Sequence, residues 1–134
     1  MILIGLDPGV HTGFAMSENG VLVHVATFKA CLAENMVEHH AKGKDAAVYF
    51  EDARLRTWFG SKGREALQGA GSIKRDCHRW EEWLEFHGIK YVKVAPKSNK
   101  TKLTADQFKR ITGWQGKTNE HNRDATMLIW KLNK

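Results

Sequence analysis

The sequence predicts a single α/β domain built on a mixed sheet with helices on both faces. Three observations predict it. An apolar run opens the chain and stops at Asp7-Pro8-Gly9, an Asn19-Gly20 hairpin signal links two further strand-like stretches, and helical and strand patterns alternate after residue 30. A meander followed by such alternation is the signature of a sheet covered on both sides. The length of 134 residues suits one domain with one core, 1–134, and the 42% hydrophobic content supplies the material for it. No repeat, low-complexity tract or linker divides the chain.

Each element has its own warrant. Met1 to Leu6 is a continuous apolar run meeting a turn, the pattern of a buried strand. Thr12 to Ser17 and Val21 to Phe28 are strands on either side of Asn19-Gly20, which favours a tight hairpin. From Cys31 to Lys42 the spacing is helical, with Leu32, Met36 and Val37 on one side and Gly43 closing the helix. Ala46 to Phe50 is a fourth strand, delivering Glu51 and Asp52 at its end. Arg54 to Gly63 is a basic, Gly-punctuated loop. Ala66, Ala70, Ile73, Cys77, Trp80, Leu84 and His87 then form a helical seam. Tyr91 to Val94 is a fifth, short strand ended by Pro96, and helices over Thr104–Ile111 and about Asn119–Leu132 complete the chain.

Composition narrows the function classes. Lys and Arg total 21 against 15 Asp and Glu, a net charge of +6 that fits a polyanionic partner without requiring one. Cys31 and Cys77 lie far apart, with no CxxC and no His at zinc-ligand spacing, so both are expected as small core residues in a reduced, intracellular protein. The apolar start is too short for a membrane helix and lacks the basic start and cleavage site of a signal peptide. No membrane partner is expected, and the cytoplasm is the default location.

The acids carry the chemistry. Asp7 ends the first strand, Glu51 ends the fourth, and Asp124 lies near the start of the last helix. Ligands of open α/β sheets collect beyond the carboxyl ends of the strands, so the three are expected to form one oxygen-rich cluster. Such a cluster suits Mg²⁺, which keeps several waters and leaves room for a phosphate. In two-metal sites the ions stabilise both the attacking and the leaving oxygen of a displacement. Taken singly, Asp7 also serves as a turn former and Asp124 as a complement to a helix dipole. Glu51 and Asp52 stand apart, because charge following five apolar residues is costly to bury unpaired. His121 precedes Asp124 by three residues and Glu120 by four, so both share its helical face. His121 is either a metal or water partner or a plain surface histidine, and Glu120 a first-turn dipole complement.

At these residues the sequence resembles a known family. Ile4-Gly5-Leu6-Asp7-Pro8-Gly9 with Thr12-Gly13-Phe14-Ala15, then Val48-Tyr49-Phe50-Glu51, then His121-Asn122-Arg123-Asp124-Ala125 are similar to the three acidic motifs of RuvC-type Holliday-junction resolvases, in order and across nearly the whole chain. The short length and basic insert look closest to the phage-encoded branch. The resemblance implies an RNase H-like fold, a five-stranded mixed sheet with an antiparallel meander of three strands plus two parallel strands, flanked by helices. It also implies a homodimer and Mg²⁺- or Mn²⁺-dependent cutting of four-way DNA junctions in a bacterial or phage-infected cell. By position, Asp7, Glu51 and Asp124 take the metal-binding and catalytic roles. His121 stands where the family often has a fourth acid, and an imidazole there favours Mn²⁺, the softer ion.

Basic residues flank this cluster. Arg54, Arg56, Lys62, Arg64, Lys74 and Arg75 form one stretch, and Lys97, Lys100 and Lys102 follow Pro96. Phosphate contacts from these side chains would give salt-sensitive affinity with little base preference. Trp58 and Phe59, inside the first stretch, either stack on bases at a junction centre or plug a local hydrophobic gap. The Gly69-Ala70-Gly71-Ser72 stretch either lies over the sheet or packs against its copy in a two-fold dimer.

The favoured reading is thus a junction-resolving endonuclease. A less selective flap or branched-DNA nuclease uses the same site, and a module that binds junctions without cutting is a third reading. A sugar-kinase-like reading fails on length and on the lack of a second phosphate loop, so no nucleotide cofactor is expected.

Overall fold

The strands β1 (Ile2–Asp7), β2 (His11–Glu18) and β3 (Val21–Lys29) form the antiparallel meander, and β4 (Ala46–Glu51) and β5 (Tyr91–Val94) extend it in parallel. The sheet order is β3-β2-β1-β4-β5. The expected mixed five-stranded sheet is therefore the observed one. The structure, a computed structural model, describes residues 1–55, 64–96 and 102–133, and for residues 64–70 and 133 the backbone alone.

Asn19 and Gly20 both adopt positive φ, 51° and 83°, as a tight hairpin turn between right-twisted strands demands. Among the described residues, four α-helices pack on the sheet or beside it: α1 (Ala30–Ala41), α2 (Arg64–Phe86), α3 (Ala105–Thr112) and α4 (Glu120–Trp130). Both α3 and α4 begin in capping boxes, Thr104 with Gln107 and Asn119 with Asn122.

Side-chain alternation along the strands sorts the core into two layers. Ile4, Leu6, Phe14, Val48 and Phe50 face α1 and α2, where they meet Ala33, Val37, Cys77, Trp80 and Leu84. Leu3, Ala15 and Tyr49 face the other way, against Ala125, Leu128 and Ile129 of α4. Asp7 and Glu51 share the parity of this second set, so both belong to the α4 face.

Three details differ from expectation. The buried stripe of α1 is Ala33, Val37 and Ala41, while Leu32 is 50% exposed. Small residues at that spacing let the helix lie close to the sheet, which a leucine stripe would prevent. Cys31 is exposed as well, so only Cys77 is a core cysteine. Within the α2 seam Cys77, Trp80 and Leu84 are buried, whereas Ile73 is exposed and His87 lies just past the helix end. Among the described residues no helix is long and apolar enough to cross a membrane.

Candidate active site

Two strands and one helix deliver the three acids to one place. Asp7 and Glu51 end adjacent parallel strands, β1 and β4, on the face that α4 covers. Asp124 is the fifth residue of α4 and is buried. It therefore lies beyond the first turn, which removes the dipole explanation for it.

Glycines set the closeness of this arrangement. A Cβ built on Gly5 would stand 2.1 Å from the Ala125 carbonyl oxygen, and one on Gly13 would stand 2.1 Å from that of His121. The backbone of α4 thus rests directly on β1 and β2, bringing His121 and Asp124 to the level of Asp7. Thr27 on β3 holds the helix start, donating to Asn119 Oδ1 at 3.1 Å and accepting from Asn122 Nδ2 at 3.2 Å.

Electrostatics record how near the acids are. Burial first, and then the charges of Glu51 and Asp124, push the Asp7 carboxyl up to about 6 from an ordinary 3.8. His121 opposes this, with Nδ1 3.4 Å from Asp7 Oδ2, a long contact at hydrogen-bond range. Lys102 bridges Asp124 Oδ2 at 3.0 Å and Glu120 Oε1 at 3.2 Å, and the bond to Asp124 raises its own pKa. Glu120 is thus a partner of Lys102 as well as a first-turn acid.

Asp7, Glu51, His121 and Asp124 offer hard oxygen donors and one imidazole at one end of the sheet. That chemistry fits a divalent cation, whose charge would relieve the repulsion on Asp7. Among the described residues no three acid, imidazole or thiol groups are already drawn into a ligand cage.

The basic candidates divide. Lys102 joins the site. Arg54 is engaged within the protein: it forms a fork on Asp52 and reaches Glu81. Lys74 is half-buried and Arg75 exposed, both on α2. Arg56, Trp58, Phe59, Lys62, Lys97 and Lys100 lie outside the described residues, as does the side chain of Arg64.

Three contributors escaped the sequence reading. Gly5 and Gly13 appear in it only as motif letters, although an isolated glycine inside a strand is itself a sign of close backbone approach. Arg123, between His121 and Asp124, donates to Leu103 O at 2.9 Å and to Thr118 Oγ1 at 2.9 Å. It thereby ties the residue next to Lys102 to the site helix, a link that no local pattern encodes.

No protein-family model and no curated protein matches the chain. Among solved structures, RuvC of T. thermophilus in complex with a Holliday junction substrate is similar over 97% of this chain and 90% of that one, with a TM-score of 0.63 and 16% identity. At that identity the likeness is one of fold: the RNase H-like fold of RuvC, in which this chain lays out its acids.

Proposed function

We propose that this chain is a divalent-metal-dependent endodeoxyribonuclease that resolves four-way DNA junctions, acting in the cytoplasm as a homodimer. The observation that carries the reading is the convergence of three acids at one sheet end: Asp7 and Glu51 close adjacent parallel strands, and Asp124 is buried on the helix that covers them. The fold shared with a junction-bound RuvC is its second support. The phage affinity rests on the sequence resemblance.

Asp7, Glu51, Asp124 and His121 would hold Mg²⁺ or Mn²⁺. A pair of such ions supplies charge to the attacking and leaving oxygens of phosphodiester hydrolysis. The protein supplies the rest. The Lys102 ammonium, held at Asp124 Oδ2 and Glu120 Oε1 beside the acids, would offset negative charge developing on a phosphate bound there. His121, whose Nδ1 lies 3.4 Å from Asp7 Oδ2, would either complete that ligand set or position a water with its imidazole. Arg56, Lys62, Arg64, Lys74, Arg75, Lys97 and Lys100 would contact the backbone of the arms, with Trp58 or Phe59 stacking at the centre. Two symmetric cuts require two such sites, which is the chemical case for the dimer.

The test incubates a labelled four-way junction, a flap and a plain duplex with protein and Mg²⁺ or Mn²⁺. Paired, symmetric nicks confined to the junction are expected. Equal cutting of all three would replace this reading by the less selective flap nuclease, and binding without cutting by the junction-binding module.

A further inference from the structure

The end of β4 carries two successive carboxylates that serve opposite faces of the sheet. Glu51 has the parity of the α4 face. Asp52 turns to the α2 face and is 0% exposed. A carboxylate buried that completely must be paired.

Its partner is Arg54, two residues on, at a short 3₁₀ turn over Ala53–Leu55. Arg54 Nε lies 2.8 Å from Asp52 Oδ1 and Nη2 lies 2.6 Å from Oδ2, while the Arg54 backbone N–H donates to Oδ1 at 3.0 Å. The same Nη2 reaches Glu81 Oε1 on α2 at 2.6 Å. The other Glu81 oxygen takes Tyr91 Oη at 2.9 Å and Lys93 Nζ at 3.1 Å, both from β5. Chiefly through Arg54, Glu81 is held down to about 2.

We propose that this Asp52–Arg54–Glu81 clasp is a positioning device for Glu51. It anchors the strand end on one face so that the neighbouring carboxylate is presented to Asp7 and Asp124 on the other. The inference rests on the reading of Glu51 as a metal-holding acid. Two backbone contacts converge on the same spot: the Asp52 N–H donates to Val94 O at 2.9 Å, and Cys77 Sγ lies 3.6 Å from Glu51 O. Fold stability alone does not require such a network, because well-packed apolar residues often replace buried ion pairs without loss. A metal-holding carboxylate does call for it, since its geometry must be held within about 0.5 Å. Arg54 and Glu81 touch neither substrate nor ion and act through the position of β4.

The experiment compares Arg54→Ala and Glu81→Gln with the full-length wild type. Glu81→Gln keeps size and an acceptor, and remains informative if Arg54→Ala does not fold. Four quantities are read: calorimetric Mn²⁺ affinity of the free protein, junction affinity in Ca²⁺, amide exchange at Asp52, and cleavage against Mn²⁺ concentration. Both variants should bind Mn²⁺ about 10-fold more weakly, the lower end of the loss seen when outer-shell partners of metal ligands are removed. Junction affinity should hold, the Asp52 amide should exchange faster, and high Mn²⁺ should restore cutting. Unchanged Mn²⁺ affinity with a lower Tm would reduce the clasp to a fold brace. Lost junction affinity at unchanged Mn²⁺ affinity would make Arg54 a phosphate contact instead. If the wild type binds no Mn²⁺, the nuclease reading fails, and unchanged Asp52 exchange in both variants would overturn the clasp independently.

Discussion

His121 Nδ1 stands 3.4 Å from Asp7 Oδ2, joining residues 114 positions apart across the contact between α4 and β1. This partial compensation leaves Asp7 raised to about 6, with burial the larger cause and Glu51 and Asp124 behind it. A carboxyl raised in the folded state binds protons there that the unfolded chain has released. Stability therefore falls as pH climbs from about 4 to 6, and the full cost is present above that window. Asp7→Asn should relieve it, stabilising the metal-free protein by on the order of 1–3 kcal/mol at pH 7.5 and by little at pH 4. Cleavage should drop by roughly 100-fold or more. Thermal melts at both pH values check this, and a lower Tm for the variant at pH 7.5 would refute the electrostatic account.

The imidazole itself should set metal preference. Replacing it by a carboxylate, His121→Asp, adds a hard oxygen donor and removes a nitrogen that suits softer ions. The ratio of cleavage rates in Mg²⁺ and Mn²⁺ should move toward Mg²⁺, by about 10-fold if His121 is a ligand. An unmoved ratio would return His121 to the surface.

The strands, their order along the chain and the two acids at strand ends were legible because apolar runs and strand-ending turns are local signals. Asp7 and Glu51 follow from them directly. The buried stripe of α1 was misplaced, since Leu32 outweighs Ala33 and Ala41 on any apolarity scale while only small residues fit against the sheet. Arg54 was read as a phosphate contact because neither the burial of Asp52, two residues before it, nor the reach to Glu81, 27 positions away on α2, shows in the local pattern. Neither the Arg123 tie to Leu103 nor the bridging of Asp124 by Lys102 has a spacing rule behind it.

Lys102 should act in opposite senses on binding and on catalysis. Its ammonium occupies Asp124 Oδ2 at 3.0 Å, an oxygen that a metal ion would also claim. Lys102→Ala should therefore tighten Mn²⁺ binding a few-fold. It should nonetheless slow cleavage at saturating Mn²⁺ by about 10-fold, through loss of a charge near the phosphate. Calorimetry and single-turnover cutting separate the two effects. Weaker Mn²⁺ binding in the variant would show that Lys102 organises Asp124 rather than competing for it.

Acid sensitivity should trace in part to Glu81. Its carboxyl is held down to about 2 from an ordinary 4.5, with the Arg54 hydrogen bond the leading cause. A lowered folded-state pKa contributes stability that is present above 4.5 and is lost as pH falls toward 2. The wild-type Tm should drop across that window, and Glu81→Gln should start lower at neutral pH and lose less. Parallel Tm curves for the two proteins between pH 6 and about 2.5 would rule the contribution out.

The approach of α4 to the sheet should be the least forgiving feature of the site. In Gly13→Ala the new methyl would overlap the His121 carbonyl, and in Gly5→Ala that of Ala125, each at 2.1 Å. Both obstacles are backbone, so neither can turn aside, and the helix itself must lift. Overpacking of this kind costs about 1–3 kcal/mol or more, and both variants should melt at lower temperature. They should differ in function. Gly13 lies under His121 at the helix start, and Gly5 lies one turn further on, beside Asp124. Gly13→Ala should thus disturb the His121 contact first, moving the Mg²⁺ to Mn²⁺ ratio as well as the rate, whereas Gly5→Ala should lower cleavage in both ions together. Gly71→Ala, where the added methyl meets no atom of the described residues within 4 Å, is the control and should stabilise α2 by about 0.5–1 kcal/mol. If Gly71→Ala instead breaks the dimer, the Gly69–Ser72 stretch is the interface. If Gly13→Ala cuts at the wild-type rate, close approach of α4 does not set the site.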